Sequence, residues 1–286
     1  MYDCRKQKTI RSEASCVGVG IHTGQEVELR FVPAKEGCGI VFRRVDLSGK
    51  PEIPATVEYI VDTARGTTVA VGDVKVHTVE HVLAALRAYE IDNVYVELTG
   101  IEPPAGNGSA DVFVELLDRV GVIDQTADIP IATLQHPVWL KMQDTSLVAL
   151  PADTYQISYT MDYTNTPVLG SQYFLFEVSQ SRFVEEIASA RTFALYNELS
   201  SLMDLGLIRG GSLENAVVVQ DNAIISKGGL YYRNEAVRHK ILDLLGDLTL
   251  VGLPFTAHII ALRSGHASNC EFAKKLYRHL TSEAKK

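Results

Sequence analysis

Residues Val237–Asp247 read VRHKILDLLGD, and this stretch sets the fold question. Ile241, Leu242, Leu244, Leu245 and, just beyond it, Leu248 recur at helical spacing. His239, Asp243 and Asp247 recur every fourth residue and so line one side of the same helix. Such a row has ordinary readings, a surface i,i+4 ion pair or a half-buried histidine satisfied by its neighbour. A metal site is the less ordinary one.

Working outward, the helix spanning 234–249 is followed by a strand, FTAHIIALRSG, and a terminal helix, ASNCEFAKKLYRHL. The strand-like runs PVWLKM, TSLVALPA, YQISYTMDY and SQYFLFEVS precede it. The first part of the chain has the same order. Short strands (CVGVGIHTG, EVELRFVPA, CGIVFRRVDL, and TTVAVGDVKV with its Gly72-Asp73 turn) lead to a helix over 78–89, TVEHVLAALRAY, with Thr78 as its cap. The strand NVYVELTG and a second helix, SADVFVELLDRVGV, follow. This repetition predicts an α+β protein of two similarly built domains, 1–128 and 129–286, joined near Asp128–Ala132. Extra material before the long helix, near 192–226, reads as a helix, a Gly-rich loop and a strand pair.

The chain has 286 residues, 46% hydrophobic and 22% charged, with a net charge of −8, which suits a globular protein and argues against a general nucleic-acid surface. Cys4, Cys16, Cys38 and Cys270 form no C-x-x-C pair and read as reduced, non-ligating thiols of a cytoplasmic protein. No export signal and no stretch long and apolar enough to span a membrane is visible, so no integral membrane segment is expected.

Three polar clusters carry candidate chemistry: HTVEH (77–81), the His239–Asp247 row with Lys240, and SGH ending at His266. If corresponding helices of the two halves pack together, His81 faces His239 and Asp243, the number and type of ligands that hydrolytic zinc sites use. Glu80 is then placed to take a proton from the attacking water. His266 is a candidate general acid or oxyanion stabiliser, with Asp247 orienting its imidazole. HTVEH also fits the inverted zinc-protease pattern H-x-x-E-H, with His77 and His81 as ligands. That reading needs His77 inside the helix.

Together with GVGIHTG, TVEHVLAAL, IDNVYVEL, SARTFAL, GGSLENAVVV, VRHKILDLLGDL and SGHASN, in this order, the chain resembles the UDP-3-O-acyl-N-acetylglucosamine deacetylases, zinc amidases of lipid A synthesis. The resemblance implies mostly antiparallel sheets, helices sandwiched between them and an active site at the domain interface. It implies His81, His239 and Asp243 as ligands to Zn2+, with Fe2+ an alternative for this donor set. It implies Glu80 as general base, His266 as the catalytic histidine with Asp247 as partner, and Thr192 as a hydroxyl polarising the scissile carbonyl. Lys240 matches a basic residue at the substrate's polar end, and Asp162-Tyr163 the nucleotide end. Phe193 and the GLIRGGS segment containing Gly211 match the acyl-chain passage. The implied partner is a nucleotide-sugar substrate carrying an acyl chain, and the implied state a monomer. Asn107, Tyr163 and Thr166 depart from the family's usual Asp, Phe and His. A diverged, non-catalytic nucleotide-sugar binder remains the third reading.

Overall fold

A computed structural model describes residues 3–220 and 222–283; residue 221, in the turn of the expected strand pair, lies outside them. The described helices are α1 (Glu80–Ala88), α2 (Asp111–Val120), α3 (Gln180–Glu186), α4 (Tyr196–Asp204), α5 (Glu235–Thr249) and α6 (His266–Glu283). Two sheets flank α1, α2, α5 and α6.

The first sheet uses strands 14–19, 26–33, 40–44, 52–54 and 94–98, in spatial order first, second, fifth, third, fourth. The second uses 138–142, 145–150, 155–163, 170–177 and 255–262 in the same spatial order. In both, the last strand runs parallel to the third and antiparallel to the second. The internal repetition expected from sequence is therefore present down to strand direction. α1 and α2 bracket the last strand of the first sheet as α5 and α6 bracket that of the second. Each half also carries a three-stranded insert before its first bracketing helix: 60–62, 68–71 and 74–76 in one, 193–195, 217–220 and 223–225 in the other.

Alternation explains the half-buried strands. Val27, Leu29 and Phe31 of strand 26–33 turn inward, as do Phe255, Ala257, Ile259 and Ala261 of strand 255–262. α2 packs on the first sheet, α5 and α6 on the second, and α1 lies against α5, which makes a helical layer between the sheets. Held on both sides, α5 buries residues all around, including His239, Asp243 and Asp247. The solvated-face reading of that polar row is therefore wrong.

Three local expectations change. Thr78 does not cap α1: it has φ +53°, Val79 occupies the N-cap position, and the Thr78 hydroxyl donates to Glu102 at 3.0 Å. The segment at the expected domain join is a strand, Val122–Pro130, paired antiparallel with Cys4–Ile10; two residues later Ala132–Thr133 pair with the second sheet. Its alternating polar sequence is that of a ribbon with no fully buried face, which hid it. α3 was not anticipated, because Phe183 is its one buried residue. Among the described residues no helix is long and apolar enough to cross a membrane.

The α1–α5 crossing is very close. A Cβ added at Gly246 would lie 2.0 Å from the Glu80 carbonyl oxygen. Gly246→Ala gains about 1 kcal/mol of helix propensity but must force two helices apart. It is expected to be net destabilising by roughly 1–3 kcal/mol, read as a lower midpoint in urea unfolding. A midpoint at or above that of the parent chain contradicts this account of the crossing.

Candidate metal centre and catalytic cluster

Because α1 and α5 cross at Glu80 and Gly246, His81 comes to face His239. Their rings stand edge to face with centroids 5.0 Å apart. The Nε2 atoms of His81 and His239 lie 3.6 and 3.3 Å from Asp243 Oδ1. The three ligand atoms are within 4.8 Å of one another. Each imidazole is oriented from behind: His81 Nδ1 donates to Ser109 O at 3.3 Å and His239 Nδ1 to Ala190 O at 2.9 Å. Both Nε2 atoms are thereby turned toward Asp243 Oδ1. Lys240 Nζ holds the other Asp243 oxygen at 2.7 Å, which leaves Oδ1 to the imidazoles.

Burial opposes the charge on His81, but Asp243 and Glu80 outweigh it and raise its pKa, so the two imidazoles differ. Burial drives the His239 pKa down to about 4, against the pull of Asp243, so the ring is neutral at neutral pH. Burial opposes the charge on Asp243, but Lys240 and His239 outweigh it and hold the carboxyl well below its usual range.

A second cluster adjoins the first: the ligand-type atoms of Glu80, Asp247 and His266 also lie within 4.8 Å of one another. Glu80 Oε2 accepts the Thr67 N–H at 2.9 Å, while Oε1 lies 3.9 Å from His266 Nε2. Burial raises the Glu80 pKa. His266 opens α6, where a cation meets the wrong end of the helix dipole. Asp247 compensates: its Oδ2 accepts His266 Nδ1–H at 3.0 Å. Burial works against the imidazolium, but Asp247 and Glu80 prevail and lift its pKa to about 9.

Both clusters open on one cavity of about 430 Å³. Thr192, Phe193, Tyr163, Lys240 and Gly211 line it. Thr192 is fixed by its backbone, whose N–H donates to Gly108 O at 2.8 Å and whose carbonyl accepts Val217 N–H at 2.8 Å. Gly108 has φ +85°, and a Cβ there would meet Asn215 O at 1.9 Å, so only glycine lets the two loops meet. Tyr163 and Phe193 meet edge to face at 5.8 Å. Asp162 does not line the cavity; one residue along the strand it points the other way, toward Arg263 at 3.6 Å. Asp247 lies behind His266, fully buried. His77 precedes α1 and pairs with Thr68 Oγ1 at 2.8 Å, so it does not join His81 as the inverted protease pattern requires.

Sequence reading missed several lining residues. Glu102, buried in IEPPAG, accepts the backbone N–H groups of His22 and Thr23 and the Thr78 hydroxyl. Arg65 and Glu198 form a 2.8 Å ion pair at the cavity wall, joining the insert of one half to that of the other. No local motif marks either; both gain meaning only from the tertiary contact.

The family model described as LpxC, UDP-3-O-acyl N-acetylglycosamine deacetylase, matches residues 7–278. The chain belongs to this family. A UDP-3-O-acyl-N-acetylglucosamine deacetylase of Chlamydia caviae is 51% identical over 272 residues, covering 95% of this chain and 97% of the relative. Its counterpart from Chlamydia felis is 50% identical over 276 residues, covering 96% and 98%. That from Chlamydia pneumoniae is 48% identical over 277 residues, with the same coverage. Against that background the Asn107 departure has a local rationale. Asn107 Oδ1 accepts both the N–H and the hydroxyl of Ser109, and its amide donates to Asp111 Oδ2 at 3.0 Å, which a carboxylate could not do.

Thr192 and Phe193 follow Arg191, whose guanidinium is 1% exposed and bonds Glu235 at 2.7 Å. Removing one partner of such a pair strands a buried charge, at about 3–5 kcal/mol. Glu235→Leu is expected to lose stability on that scale in chemical denaturation; a loss under about 1 kcal/mol would mean the pair behaves as a surface one.

Proposed function

We propose that this chain is a metal-dependent amidase that removes the N-acetyl group of UDP-3-O-acyl-N-acetylglucosamine, releasing acetate and the free 2-amino sugar, as a cytoplasmic step of lipid A biosynthesis. The observation that carries the reading is the convergence of His81 with His239 and Asp243 on a cavity that also receives Glu80 and His266. We take the halves 1–128 and 129–286 as the two domains that form its walls and, from the family resemblance alone, the chain as a monomer.

The donor set fits a divalent cation. Two imidazoles anchored through Nδ1 and a carboxylate with one oxygen turned toward them make the three-protein-ligand arrangement of hydrolytic zinc sites. We assign Zn2+, with Fe2+ the alternative for the same ligands. Bound there, the ion supplies Lewis acidity.

The remaining steps belong to the side chains. Glu80, with Oε2 tied to Thr67 and Oε1 facing His266 at 3.9 Å, takes a proton from the attacking water. Protonated His266, charged at neutral pH, stabilises the oxyanion from the cavity wall, assisted by the Thr192 hydroxyl. As the C–N bond breaks, His266 passes its Nε2 proton to the departing amine, acetate leaves, and the proton taken up by Glu80 restores the imidazolium across the 3.9 Å between them. Lys240 serves the polar end of the substrate, and Tyr163 the nucleotide end; we place Asp162 behind Tyr163 rather than on the substrate. Phe193, Gly211, Leu199, Leu202, Met203 and Ile208 line the stretch we assign to the 3-O-acyl chain.

His81→Ala and His239→Ala are expected to lose both bound metal and acetate release. Glu80→Gln is expected to keep the metal and lose turnover by about 10²–10⁴-fold, and His77→Ala to keep its metal. Metal analysis paired with an acetate-release assay on the acylated UDP-sugar checks all four. Full turnover by metal-free His239→Ala would refute the reading, and substrate binding without turnover in zinc-loaded parent protein would leave a binder. Shortening the acyl chain is expected to lower kcat/KM by roughly fourfold per methylene lost, equivalent to ~0.8 kcal/mol of apolar burial each; indifference to chain length would place the acyl chain outside the cavity.

A further inference from the structure

We propose that Thr67 is the positioning residue that holds the proton-transfer groups of the two halves in register, an inference that rests on the deacetylase reading above. Thr67 is fully buried in the insert of the first half, and each of its polar atoms is engaged. Its N–H donates to Glu80 Oε2 at 2.9 Å. Its carbonyl accepts Val79 N–H at 3.2 Å, which fastens the loop to the start of α1. Its hydroxyl donates to Asp247 Oδ1 at 2.5 Å, across 180 residues of sequence. Asp247 Oδ2 in turn receives His266 Nδ1 and Asn269 Nδ2. One residue thus touches the proposed base directly and the proposed acid through one carboxylate.

The chemistry gives that hydroxyl a specific task. A carboxylate oriented by His266 alone can rotate about its Cβ–Cγ bond, and the imidazole rotates with it. Thr67 and Asn269 bind one oxygen each, fixing the carboxylate plane and so the direction in which His266 Nε2 points. The same residue restrains Glu80 Oε2, leaving Oε1 as the oxygen nearest His266. A buried hydroxyl is otherwise unfavourable here, since valine would fill the same volume with nothing to satisfy.

The test uses the full-length, zinc-loaded protein. Thr67→Val keeps shape and backbone while deleting the hydroxyl. It is expected to lower kcat on the order of tenfold to a hundredfold, as outer-shell partners do, with KM and zinc content unchanged; Thr67→Ser recovers most of the loss. In an Asp247→Ala background Thr67→Val is expected to cost less than about twofold more. The Nδ1 proton of His266, read by nitrogen-15 NMR of histidine-labelled protein at one fixed pH, is expected to shift in Thr67→Val and return in Thr67→Ser. Unchanged kcat, an undiminished loss in the Asp247→Ala background, or an unmoved Nδ1 proton each overturns the proposal. The NMR signature needs no turnover, so parent protein that binds zinc without releasing acetate sinks the deacetylase reading and still leaves Thr67 decided.

Discussion

The backbone contact between Gly246 and Glu80 is the constraint on which the rest depends. It sets the distance and register of α1 against α5, and two polar clusters follow from that one crossing. Glu80 and His81 are consecutive, so their side chains leave the helix about 100° apart, one toward each cluster. On α5, Asp243 and Asp247 are one turn apart, with Cα atoms displaced about 6 Å along the axis. One helix thus separates its contributions by angle and the other by height. A residue with a side chain at position 246 would widen the crossing and pull both clusters open together.

The duplicated topology explains why the site needs both halves. Each half repeats the same sheet order and brackets its last strand with two helices, but the equivalent helices carry different chemistry. α1 supplies Glu80 and His81, while α5 supplies His239, Asp243 and Asp247. Neither half holds three ligand-type residues of one cluster. The inserts, at the same point in each half, are joined across the cavity by Arg65 and Glu198.

Much of this was legible in sequence because it was periodic. The i,i+4 row of α5, the strand–helix–strand–helix repetition and the placement of His77 before its helix all rest on local spacing, and the structure holds to them. The candidate set His81, His239 and Asp243 was legible in two ways, from the assumption that equivalent helices pack together, which composition cannot supply, and from the family resemblance. What escaped was non-periodic. The ribbon strand 122–130 alternates without a core to face, and Thr78 serves Glu102 rather than α1 because a buried carboxylate outbids a helix end for its hydroxyl. Thr67 sits in RGTT, where nothing local distinguishes it from a surface threonine. Asp162, matched with Tyr163 to the nucleotide end, turns to Arg263 while its neighbour lines the cavity, because adjacent strand residues face opposite ways.

Asp243, Asp247 and Glu80 lie within one helical layer at 3% exposure or less, where uncompensated carboxylates would be strongly unfavourable. Each is answered differently. Asp243 has Lys240 on one oxygen and imidazoles at the other, so a cation can join without displacing the lysine. Asp247 accepts from Thr67 on one oxygen and from His266 and Asn269 on the other, which fixes its plane. Glu80 has a donor on one oxygen only, and burial raises its pKa. The least compensated carboxylate is therefore the one that gains most by accepting a proton, and it stands beside an imidazolium whose charge its neighbours sustain.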